Sequence, residues 1–161
     1  MPMKIILFDL GDTLEYKIQN KDVLMPGALD LLSSVKDLHD HSGESPVLAL
    51  VSDFSEPAEN YYAILKDLKI DGFFMPLKER VTLSNEVGVF KPNEKIFRAA
   101  IDKISKDLQY SEVFFITENK EHIIAARKLG MMTIRLASAG NHDGEVNSLN
   151  EIIPFIQLFL L

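Results

Sequence analysis

The chain has no cysteine among its 161 residues. That excludes disulfides and thiolate metal sites, and a reducing, cytoplasmic setting fits the composition. It has no surplus of positive charge. Lys and Arg number 17 against 24 Asp and Glu, for a formal net charge of -7 and a pI near 5.1. A nucleic-acid partner or a basic membrane patch is therefore not expected. Long apolar runs are also missing. The tail "IIPFIQLFLL" (152–161) is broken by Pro154 and is about half the roughly 20 residues a membrane-spanning helix needs. It reads as a last helix closing the core rather than an anchor. The residues before Asp9 hold a single lysine and no long apolar stretch, so no secretory leader is expected there. Repeats and low-complexity segments are absent.

What is present is a hydrophobic content of 47%, enough to bury a sizeable core. Residues 1–161 read as one domain by length. Apolar runs alternate with amphipathic ones. "KIILFDL" (4–10), "VLALVSD" (47–53), "VFFIT" (113–117) and "MTIRLAS" (132–138) read as strands, and "GFFMPL" (72–77) reads as a further short one. "MPGALDLLSSVKDLHD" (25–40) reads as a helix, with Pro26 near its first turn and Leu29, Leu32, Val35 and Leu38 at helical spacing. Helices are also expected over 56–70, with a stripe of Tyr61, Ile64, Leu65 and Leu68, and over 93–104 and 121–130. Gly130 stops the last of these. "HSGESP" (41–46) and "EYKIQNKD" (15–22) read as surface loops, the latter with the option of a small flap. Strands apolar on both faces predict a doubly wound parallel sheet of about five strands, with helices on both faces. In such sheets ligands bind outside the carboxyl ends of the strands. Asp9, Ser52 and Thr117 each fall at such an end.

"FDLGDTL", "LVSDFS", "VFKPNEKIF" and "VFFITENKEHIIAARKLGM", in that order, resemble the four motifs of the haloacid dehalogenase (HAD) superfamily of phosphohydrolases. The resemblance covers nearly the whole chain. It implies a HAD-like Rossmannoid core and phosphatase chemistry through an aspartyl phosphate. Asp9 would be the nucleophile, Ser52 a donor to the phosphoryl oxygens and Lys91 the neutralising cation, with Thr13 as the small hydroxyl of the first motif. It also implies Mg²⁺, held by Asp9, the Gly11 carbonyl and the fourth-motif positions Thr117 and Glu118. Each residue has a plainer reading. Asp9 would cap a turn, Ser52 would be a loop hydroxyl, Lys91 a surface lysine, and Thr13 a partner of the local backbone.

Two positions depart from the family pattern. Gly11 stands where most family phosphatases carry a second aspartate, the proton donor and acceptor of the reaction. Proton transfer of that kind is worth about 10²–10⁴-fold. Asp12 is a weak substitute or a turn residue. Thr117 stands where the main metal carboxylate is expected, and a hydroxyl is a much poorer Mg²⁺ ligand. Glu118 and Glu121 either reach the metal or complement the dipole of the following helix, and His122 is expected to face solvent. The segments 14–46 and 53–90 leave no room for an inserted cap domain. Capless relatives act on large substrates or borrow a neighbouring subunit as lid, so a homodimer has a place in this reading.

Two functions follow. One is a Mg²⁺-dependent phosphatase acting on a phosphorylated small molecule or macromolecule. The other is a degenerate relative that binds a phosphorylated ligand or protein partner without turnover. A response-regulator receiver is disfavoured, because its acceptor lies on the third strand and here "VLALVS" and "VFFIT" end in hydroxyls.

Overall fold

The computed structural model describes residues 3–137 and 144–161. The elements in chain order are β1 (Ile5–Phe8), β2 (Glu15–Ile18), β3 (Lys21–Leu24), α1 (Ala28–Lys36), β4 (Val47–Ser52) and α2 (Ala58–Asp67). A 3₁₀ turn at Asp71–Phe74 leads to α3 (Leu77–Arg80), β5 (Val81–Leu83), α4 (Ser84–Val87) and α5 (Glu94–Asp102). Then come β6 (Val113–Thr117), α6 (Lys120–Leu129), β7 (Met132–Leu136), β8 (Glu145–Val146) and α7 (Ile153–Leu160). Ser138, placed in a strand by its sequence, lies outside the described residues.

Six strands form one parallel sheet in the order β5-β4-β1-β6-β7-β8. The apolar runs face both ways, as their composition demands. Ile6 and Phe8 of β1 pack on one side with Leu31 and Leu32 of α1, Tyr61 and Leu65 of α2, and Ile156 of α7. Ile5 and Leu7 pack on the other side with Ile96 and Phe97 of α5 and Ala126 of α6. This is the doubly wound α/β architecture expected, with one strand more than expected at its far edge. Among the described residues no cap domain interrupts it, and no helix is long and apolar enough to cross a membrane.

Three local readings are corrected. "GFFMPL" (72–77) is not a strand: Phe74 ends a 3₁₀ turn, buried edge-on against Phe8 at a 6.1 Å centroid separation. Gly72 and Pro76 suit a turn better than a ladder, and pairing with β4 is taken up by Val81–Leu83 instead. Residues 15–22 are not a plain loop. β2 and β3 pair antiparallel through the tight turn Gln19-Asn20, both residues at positive φ (49° and 64°), the geometry that matches strand twist in two-residue hairpins. On α1 it is Leu31, not Leu29, that joins Leu32 and Val35 in the core, while Leu29 is 48% exposed.

The contrast on α1 makes a prediction. Leu31→Ala should cost about 2–5 kcal/mol through lost burial and a cavity. Leu29→Ala should stay within about 0.5 kcal/mol. Urea denaturation of the two variants checks the difference.

Candidate active site

Strand β1 lies between β4 and β6, so the chain leaves its carboxyl end at the point where the sheet's order reverses. Phe8 is level with Leu50 of β4 and Ile116 of β6, and the Asp9 amide donates to the Ile116 carbonyl at 3.0 Å. That register sets Asp9 beside Thr117. The chain then turns at once, with the amides of Thr13, Leu14 and Glu15 all donating to the Leu10 carbonyl.

Asp9 is buried, and each carboxylate oxygen is engaged. Oδ1 accepts from Lys91 Nζ at 2.7 Å and from the Leu10 amide at 2.9 Å. Oδ2 accepts from the Thr117 hydroxyl at 3.0 Å. Lys91 is equally buried, so this is an internal ion pair and not a surface contact. The Lys91 backbone is fixed by Asp53, whose Oδ1 accepts from its amide at 2.9 Å. Asp53 is a positioning residue that the sequence reading did not single out, although it sits inside the "LVSDFS" motif.

Ser52, at the end of β4, meets a second unforeseen residue. Its Oγ lies 2.6 Å from the Tyr61 hydroxyl. Tyr61 belongs to the apolar stripe of α2, but its polar end reaches the site. Burial holds its pKa well above the ordinary tyrosine range, so it stays protonated and can donate to Ser52. The Ser52 proton is then free for a ligand oxygen. Asp9, Ser52, Tyr61, Asp53, Lys91 and His122 share a pocket of about 300 Å³, closed on one side by Glu15, Lys17 and Asp22 of the hairpin.

The remaining candidates disperse. Thr13 is fully buried, accepts from the Glu118 amide at 3.1 Å and ties the turn after β1 to the end of β6. It does not line the Asp9 pocket. Asp12 takes a left-handed conformation (φ 58°) and lines a neighbouring pocket with Glu118 and Arg135. Burial, followed by the charges of Asp9 and Asp12, raises the Glu118 pKa. Glu121 is exposed in the first turn of α6, the dipole reading. His122 does not face solvent as expected. It lines the Asp9 pocket, its Nδ1 is buried without a partner, and burial with the nearby Lys91 charge lowers its pKa.

These contacts bear on magnesium. Thr117 gives its proton to Asp9 and accepts from the Asn119 amide at 3.2 Å. Glu118 lies in the neighbouring pocket. Among the described residues no three acidic or histidine side chains converge as a metal site would require.

Glu15 is the most perturbed carboxyl of the pocket. Burial, then the Asp22 carboxyl across the hairpin, pushes its pKa from 4.5 up to about 8. The folded state therefore keeps a proton that the unfolded chain releases, so this group's stabilisation is lost as pH rises from 4.5 through about 8. Thermal melts across that range should show wild type losing stability relative to Glu15→Gln. For the ion pair, Lys91→Met should cost about 3–5 kcal/mol, much of it recovered in Asp9→Asn/Lys91→Met, because the single variant strands a buried charge. Urea melts of the three variants check this.

No family model and no curated protein matches the chain, but solved structures do. A HAD-superfamily hydrolase from Ehrlichia chaffeensis superposes with a TM-score of 0.72 at 18% identity, covering 100% of both chains. A HAD-family enzyme from Bacteroides thetaiotaomicron, in complex with magnesium and inorganic phosphate, gives 0.65 at 15%, covering 88% of this chain and 98% of that one. A dehalogenase captured with an intermediate gives 0.68 at 24%, covering 84% of this chain. The chain spans only 57% of that dehalogenase, and 56% of the magnesium-bound YfnB from Bacillus subtilis. At these identities the likeness is one of fold: the chain has the HAD-like fold.

Proposed function

We propose that this chain is a phosphohydrolase that passes a phosphoryl group through Asp9, acting in the cytoplasm on a phosphorylated small molecule or macromolecule. The observation that carries the reading is the seating of Asp9. A buried carboxylate stands at the switch point of the sheet, held by Lys91 and Thr117, with the Ser52 hydroxyl on the neighbouring strand end. A carboxylate so placed can attack phosphorus and form an acyl phosphate, splitting one hard step into two. Lys91 uses one ammonium proton on Asp9 and has two more for phosphoryl oxygens. Ser52, backed by Tyr61, donates to a third. Catalysis of this kind is positioning plus charge stabilisation.

Magnesium is held by two of the similar structures. The family resemblance assigns it Asp9, the Gly11 carbonyl, Thr117 and Glu118 on this chain. With Thr117 neutral and Glu118 in the next pocket, that donor set falls short. Lys91 supplies the positive charge, and no step is routed through a metal.

One observation favours a second substrate class. Asp9 is surrounded by hydrogen-bond donors, and the position two residues on, which would carry a proton donor, is glycine. Displacement of halide from carbon needs no such donor, and a dehalogenase is among the structural neighbours.

Hydrolysis of a phosphomonoester panel by wild type and Asp9→Asn tests the proposal. Turnover lost in Asp9→Asn supports it. Equal rates in the two proteins, or no turnover by folded wild type, overturn it. A halogenated acid in the same panel decides the second class by halide release. Survival of the rate under chelation supports the donor-set reasoning, and strict magnesium dependence overturns it.

A further inference from the structure

We propose that Glu15 is the proton carrier of this site, protonating the leaving oxygen and then taking a proton from the attacking water in place of the side chain that Gly11 lacks. The inference rests on the phosphohydrolase reading above.

Three observations carry it. Among the described residues two buried side-chain polar atoms have no partner, Glu15 Oε2 and His122 Nδ1. Both residues line the pocket that holds Asp9. A buried polar atom without a partner is costly, and here both fall in the pocket that also holds a candidate nucleophile. Second, Glu15 borders the space that a side chain at position 11 would enter. A Cβ built on Gly11 would stand 3.6 Å from Glu15 Oε1. Third, the hairpin aims Glu15 inward. Strand periodicity and the Lys17–Asp22 register put Glu15, Lys17 and Asp22 on one face of β2 and β3, and all three line the pocket.

The charges around Glu15 fit the role. Asp22 and Lys17 face it from the hairpin and Asp12 from the preceding turn. Asp9 and Lys91 stand across the pocket, and His122 faces it from α6. Glu15, Asp9 and Tyr61 line the same pocket. Burial and Asp22 outweigh Lys17, so Glu15 enters the reaction protonated at neutral pH.

In the first step an Asp9 oxygen bonds to phosphorus and the ester P–O bond breaks. Its electron pair stays on the leaving oxygen, which takes the Glu15 proton and departs as the alcohol. In the second step the Glu15 carboxylate removes a proton from water as the water oxygen bonds to phosphorus. The P–O bond to Asp9 breaks, its pair returns to the carboxylate, and inorganic phosphate leaves with Glu15 protonated again.

The test compares two esters in Glu15→Gln. The nitrophenolate of 4-nitrophenyl phosphate leaves without a proton, whereas the alkoxide of glycerol phosphate needs one. With the alkyl ester, the first turnover should fall by about 10²–10⁴-fold. With the aryl ester, the nitrophenolate burst should keep its rate while phosphate release slows, so that the aspartyl phosphate accumulates and appears as an added mass on the protein. Equal loss with both esters, or no loss with either, overturns the role of Glu15 while leaving Asp9-dependent hydrolysis standing. Wild type inactive on both esters overturns the role together with the reading it rests on. Should Glu15→Gln fail to fold, the wild-type pH profile decides. Alkyl-ester kcat should fall above about pH 8 while the nitrophenolate burst does not, and matching profiles for the two esters overturn the proposal.

Discussion

The arrangement depends on one buried ion pair. Asp9 and Lys91 meet at 2.7 Å at the carboxyl edge of the central strand, with side chains only 10% and 3% exposed. Taking two such charges out of water costs several kcal/mol each, and the attraction offsets this only with good geometry and further hydrogen bonds. The surrounding structure supplies them. The Leu10 amide and the Thr117 hydroxyl complete the coordination of Asp9, and Asp53 fixes the backbone that carries Lys91. Residues from β1, β4, β6 and the loop before α5 are therefore bound to one pair of charges. The parallel register that places Asp9 beside Thr117 is part of the same constraint.

That constraint explains the form of the two departures from the family pattern. A threonine at position 117 can donate to Asp9 where a carboxylate would repel it, so Asp9 is held by hydrogen bonds. A glycine at position 11 leaves space, and the hairpin brings the Glu15 carboxyl beside it. The hairpin thus walls the pocket and supplies its most perturbed carboxyl. In an open, capless site this wall is also what limits water on that side, and electrostatic effects are stronger where water is excluded.

Much of this was legible in the residues. Short apolar runs such as "VLALV" and "VFFI" read as strands buried on both faces, and their polar last residues marked the site edge. Asp9 and Ser52 were found that way and Lys91 through its motif, and the three converge on one pocket. Thr117, expected at a metal-ligand position, donates to Asp9 instead. Thr13, Asp12 and Glu118 were marked by the same motifs but turn to other tasks. The segment "EYKIQNKD" carried a weak hairpin signal in Asn20, and only the two positive-φ residues reveal the turn.

Taken alone, the sequence determined the sheet, its two-sided core and the identity of the residues at its carboxyl edge, because periodicity and burial are local consequences of side-chain chemistry. It could not say where long-range neighbours would fall. That the Tyr61 hydroxyl would reach from its apolar stripe to Ser52, that His122 would be drawn into the pocket, and that Glu15 would stand beside Gly11 depend on how α2, α6 and the hairpin pack. Those contacts join residues distant along the chain. Only tertiary packing sets their distances, and with them the hydrogen bonds and pKa shifts that define the chemistry.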